Sequence, residues 1–210
     1  MWIYIWVIIS LFILGVFSWS LLILQRQKKA WSAFAKKYNL SYFPGRIVQA
    51  PSVKGAVFGH QIAYFPDQQA TQDQRGQRFV TVLEFDVGQG MTTGGLIASP
   101  NFATMAANLT FADEILIDYP EWDKNTIVRT RAAQDLRDYL TKDRLEVIHS
   151  ILSMKNSTAL YFFDEQNAIV HIETSDPIYD VERLEKITQK ITSLLPRLRL
   201  TEDEIKMMKK

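Results

Sequence analysis

Residues 2–24 form an unbroken run without a charged side chain, and Ser10, Ser18 and Ser20 within it can satisfy their hydroxyls on the carbonyls of their own helix. As a helix, this run spans about 34 Å, slightly more than the ~30 Å hydrocarbon core of a bilayer. Trp2, Tyr4 and Trp6 lie at one end, and Trp19 and Trp31 lie near the other, as in the aromatic belts of membrane helices. A cleaved signal peptide needs a basic leader, a shorter apolar stretch and a small-x-small cleavage site. No Lys or Arg precedes the run, and Val16-Phe17-Ser18 is a poor site. The pattern predicts a transmembrane anchor over residues 1–25.

Trp31, Phe34 and Tyr38 recur at helical spacing and predict a basic juxtamembrane helix over 26–39, either separate from the anchor or continuous with it. Pro44-Gly45 then forces a turn. Strands are expected at 52–58 and 61–65 around a type II′ loop at Gly59-His60. Residues 66–77 hold one Ala and no larger apolar side chain, which predicts a surface loop. The clearest period-2 alternation lies at 78–87. Residues 88–95 (GQGMTTGG) read as a flexible connection, and Ser99-Pro100 as the start of a short helix. Strands at 114–119 and 126–130 flank a turn carrying Trp122. Helices follow at 132–140 and 142–154, then a hairpin of 158–164 with 168–173. The last helix, 179–195, aligns Val181, Leu184, Ile187, Ile191 and Leu195 on one face. Strands paired in hairpins with late helices predict an α+β fold. It comprises one transmembrane helix, a mainly antiparallel soluble domain over 40–196 closed by a C-terminal amphipathic helix, and a polar tail over 197–210.

Charge adds an asymmetry to this picture. The net charge is +1, yet residues 1–66 carry seven of the 24 basic side chains and no acidic one; the remaining 17 basic and 23 acidic side chains give −6. Basic residues only on the C-terminal side of the run predict a single-pass cell-membrane protein with its N-terminus outside and its domain cytoplasmic. Arg26, Lys28, Lys29, Lys36 and Lys37 are candidate contacts to the anionic leaflet, each worth about 1 kcal/mol when close to it. An acidic distal body gives no support to nucleic-acid binding. The absence of cysteine excludes disulfides, thiolate metal sites and cysteine nucleophiles.

Motifs for chemistry are sparse. His60, His149 and His171 lack ligand spacing, no G-x-S-x-G occurs, and the glycines of 88–95 fit no phosphate-loop pattern. Arg129 and Arg131 share one strand face. They read as an anion or partner contact, or as cross-sheet partners of Glu114 or Asp118. Trp122, in a polar turn, is a candidate partner contact unless it folds back onto the core. No cofactor and no metal are expected. The combination predicts a non-catalytic, membrane-anchored interaction or scaffold domain with protein partners in a membrane assembly. The alternatives are a ligand- or anionic-lipid-sensing domain and, less in keeping with the motifs, a tethered enzyme.

Overall fold

The computed structural model describes residues 2–70 and 77–208. Helix α1 (Trp2–Tyr38) runs unbroken for 37 residues, about 55 Å. No Gly or Pro interrupts the chain between positions 16 and 38, so nothing in the backbone separates the apolar run from the amphipathic segment after it. Residues 2–20 are exposed along their whole length. Farther on, Gln27, Ala30, Trp31, Phe34 and Ala35 are buried at i, i+3, i+4, i+7 and i+8, a single stripe against the sheet. The helix ends where Asn39 takes a positive φ of 54° and Leu40 N donates to Ala35 O at 2.8 Å.

The sheet has nine strands. β1 (Ser41–Phe43), β2 (Ser52–Val57), β3 (His60–Ala70), β4 (Gln77–Asp86) and β5 (Gly95–Ala98) come first. A short 3-10 turn and α2 (Ala103–Ala107) precede β6 (Asp113–Glu114) and β7 (Ile127–Thr130). Then come α3 (Ala133–Tyr139), α4 (Lys142–Leu152), β8 (Ser157–Phe163) and β9 (Ala168–Thr174), and finally α5 (Val181–Leu194) and α6 (Glu202–Met208). All neighbours pair antiparallel in the order β1-β2-β3-β4-β9-β8-β5-β7-β6. The predicted α+β class, with a leading apolar helix and C-terminal helices, is the observed one.

The register gives the sheet two unequal faces. One carries Tyr64, Leu83, Phe85, Tyr161, Phe163 and Ile172 into the main core, which includes the buried stripe of α1 and the apolar faces of α3, α4 and α5. Tyr64 joins these layers: its ring meets Trp31 edge-on at 6.3 Å and Phe34 at 5.9 Å, and its hydroxyl bonds to Thr188 of α5 at 2.7 Å. The other face holds a smaller cluster in which Leu96, Ala98 and Leu160 pack beneath Phe102 and Ala106.

Several local expectations are corrected. The first hairpin turns at Phe58-Gly59, both with positive φ (52° and 81°), with Val57 opposite His60. That is a type I′ turn, whose twist matches the strands, and not a type II′ loop at Gly59-His60. The predicted loop at 66–77 is strand at both ends, with Pro66 opposite Thr81 and Ala70 opposite Gln77. Pro66 is tolerated because β2 has ended beside it, which leaves β3 an edge there. Positions 71–76 of that expected loop lie outside the described residues. The strand expected at 114–119 shrinks to Asp113–Glu114.

Residues 88–95 are packed, not flexible. Met91 and Thr93 are buried, Met91 N donates to Asp164 O at 2.7 Å, and Gly90 lies so close to the backbone of Glu165 and Gln166 that a Cβ has no room. The packed core also runs past Pro196. Leu198 and Leu200 are buried, and buried Arg144 holds the chain beyond them, donating to Arg199 O at 2.7 Å and with both terminal nitrogens to Glu204.

Candidate functional site

The end of the domain where α1 enters it gathers most of the residues singled out by charge. β1 turns back along α1, so that Tyr42 donates its hydroxyl to Lys28 O at 3.2 Å. Lys28 Nζ in turn donates to Arg46 O at 2.6 Å and to Ile47 O at 3.4 Å. The 43–48 loop is thereby fixed beside the helical turn that follows the apolar run. Phe43, at the end of β1, and Ile47 and Val48 on the loop are 54%, 87% and 66% exposed. Arg26 and Lys29 are exposed on the same stretch of helix. Lys36 is also exposed but lies about 18 Å beyond Leu24 along the axis. Lys37 pairs with Glu185 of α5 at 2.7 Å, and that hydrogen bond raises its pKa.

Helix α5 runs parallel to α1. Trp31 Nε1 donates to Ile178 O at 2.9 Å just before α5 begins, and Lys37 meets Glu185 one turn inside it. The N-terminus of α5, where Asp180 accepts from Glu182 N at 3.0 Å, therefore faces the same end of the domain. Beside it lies a cleft of about 320 Å³ lined by Met154, Lys155, Ser157, Asp180, Arg183 and Lys186.

The remaining sequence candidates lie elsewhere. Arg129 reaches Glu114 at 3.8 Å and Ala106 O at 3.3 Å, the cross-sheet pairing that its register with Glu114 allows. Arg131 is exposed on the same side, 5.8 Å over the ring of Phe111. Trp122 is half-buried, packs against the main core and lines a second cleft of about 320 Å³ with Pro100, Asn101 and His149. His149 lies 3.7 Å from Glu121, and buried His60 bonds to Asp86 O at 3.2 Å.

One cluster was not visible in the sequence. His171 is held between Glu84 (3.0 Å) and Glu173 (3.1 Å) on the face opposite α1, with the Phe102 ring edge-on at 5.9 Å. Burial works against the charged imidazole, but the hydrogen bonds and charges of the two carboxylates outweigh it and raise its pKa to about 9. The only signal was the polar residues Glu84, His171 and Glu173 interrupting strands rich in apolar side chains. Their meeting depends on a register that places Glu84 opposite His171. Among the described residues, no group of three or more His, Cys, Asp or Glu is arranged to hold a metal ion.

No protein-family model matches the chain, and no curated protein matches it. Among solved structures, the crystal structure of the mycobacterial trehalose monomycolate transport factor A, TtfA, is similar over 85% of this chain and 97% of that one, at 10% sequence identity and a TM-score of 0.48.

Proposed function

We propose that this chain is a single-pass membrane-anchored accessory protein that acts by contact, its domain held in one pose against the cytoplasmic leaflet. The carrying observation is the continuity of α1: the helix that is long and apolar enough to cross a bilayer is also a core helix of the domain. A tether of that kind has no slack, so it fixes the height and tilt of every surface above it. Arg26 and Lys29 follow the apolar run directly, are exposed and supply the leaflet contact; Lys28 is engaged by the Arg46 and Ile47 carbonyls, and Lys36 and Lys37 lie farther along the helix. Arg131, exposed beside Phe111, is the surface offered to a protein partner, whereas Trp122 folds back onto the main core.

A contact role agrees with the state of the polar residues. His171 is clamped on both ring nitrogens and protonated at neutral pH, which suits a structural cation better than a general base. Arg129 is engaged by Glu114 and by a helix carbonyl.

Two experiments test the proposal. Full-length protein extracted in mild detergent is expected to migrate with a partner polypeptide; recovery as a lone 24.2 kDa chain contradicts the accessory role. The absence of native cysteine makes topology simple to read. Lys190→Cys, on the exposed side of α5, is expected to react with a membrane-impermeant maleimide only after cells are opened. Labelling on intact cells contradicts the cytoplasmic placement.

A further inference from the structure

The 43–48 loop combines three features that the anchor alone does not explain. It is built, not loose: Gly45 takes a φ of +66°, where a Cβ would meet Ala50 O at 2.8 Å, while Arg46 N donates to the Gln49 side chain at 3.2 Å and Gln49 N to Arg46 O at 3.1 Å. It is apolar outward: Phe43, Ile47 and Val48 turn to solvent while the sheet behind them has a complete core. It is also placed by the anchor. Lys28, whose ammonium holds the Arg46 and Ile47 carbonyls, lies four residues after Leu24, about 6 Å along the helix from the end of the apolar run.

Single exposed apolar side chains are ordinary on a protein surface; two on one ordered loop, with a third at the end of the strand leading into it, are not. From this geometry we infer that the 43–48 loop is a second membrane contact, which dips Ile47, Val48 and Phe43 into the lipid headgroup–acyl boundary beside α1. The inference rests on α1 crossing the bilayer. Charge complements the apolar tip: Arg46 lies on the loop itself, Arg26 and Lys29 lie within two residues of Lys28 on α1, and the stretch up to Asp67 contains no acidic residue to repel an anionic leaflet. Lys28 spends its charge on the loop carbonyls, so its role is to hold the loop at the interface. A helix alone fixes height but leaves rotation about its own axis open; a second, off-axis contact fixes rotation as well.

The test uses full-length protein in vesicles of phosphatidylcholine and phosphatidylglycerol, with an environment-sensitive fluorophore on Ile47→Cys, Phe17→Cys or Phe58→Cys. Phe17 lies in the apolar run, and Phe58 lies in the distal turn, against Tyr38 at the far end of α1. All three side chains are exposed, so the substitutions spare the core. Nitroxide-bearing lipid is expected to quench the probes at 17 and 47 several-fold more than the probe at 58. Quenching at 17 with position 47 behaving like position 58 overturns the loop contact and leaves the anchor standing. Loss of quenching at both 17 and 47 overturns the anchor as well. Shielding of position 47 only in native membranes, and not in pure lipid, overturns the lipid contact and assigns the loop to a protein partner.

Discussion

His171, Glu84 and Glu173 come from two neighbouring strands, and their pairing sets a pH dependence. The folded pKa of His171, about 9, lies above the ~6.5 of an unfolded chain, so the folded state binds the proton more tightly. The stabilisation is complete below about pH 6.5 and is lost as pH rises from there through 9, up to about 3 kcal/mol. Thermal unfolding of the full-length protein in detergent is expected to show this alkaline loss, and His171→Gln to remove it while lowering stability at pH 6. Parallel curves for the two proteins contradict the clamp. Arg144 and Glu204 behave in the opposite sense. The Arg144 hydrogen bonds, with help from Thr201, hold the Glu204 carboxyl at about 2, so its contribution is present above about pH 4.5 and fades as pH falls toward 2. Arg144→Met severs that pair, the Tyr139 and Arg199 carbonyl bonds and the stacking on the Tyr139 ring, at a cost of about 3–5 kcal/mol. Faster amide exchange confined first to α6 is the expected signature; unchanged exchange there contradicts the lock. Neither partnership was legible in the sequence, because Arg144 and Glu204 stand 60 residues apart and His171 and Glu84 stand 87 apart.

At the scale of elements, α1 belongs to two environments. Its first part is exposed and apolar, and its last part places Trp31 and Phe34, both fully buried, under the sheet. A chain lacking residues 1–25 is therefore expected to fold as a soluble domain, whereas a chain lacking residues 1–38 is expected not to fold. Circular dichroism and a cooperative melt distinguish the two; a cooperative melt from the shorter chain contradicts the role given to α1. Trp31→Ala within the longer chain is expected to cost about 3–5 kcal/mol, since it also frees the Ile178 carbonyl. The buried end of α1, and β4 and α5, were readable because their burial repeats with the period of the element. β1 and β5 were not readable. They have three and four residues, and β5 is buried on both faces, so no alternation marks it. The polar far end of β3 was missed for a related reason: its ladder is supplied by β4, and local composition carries no trace of a partner strand. The 88–95 stretch misled because glycines that allow close backbone approach look, in one dimension, like glycines that give flexibility.

For the molecule as a whole, the sequence showed the apolar run, the uneven charge and the fold class, but not how the run joins the domain. That junction matters most for function. A flexible linker would let the domain sample many heights and tilts, while a shared helix fixes both. The central claim is therefore that the apolar run and the folded domain move as one body. Spin labels at Phe17→Cys, in the run, and Lys190→Cys, on α5, report this directly when the interlabel distance is measured by pulsed electron resonance in lipid nanodiscs. A single narrow distance distribution is predicted, and it should broaden when Gln25→Pro breaks the helix between the two sites. A broad, many-peaked distribution in the unbroken chain would contradict the account.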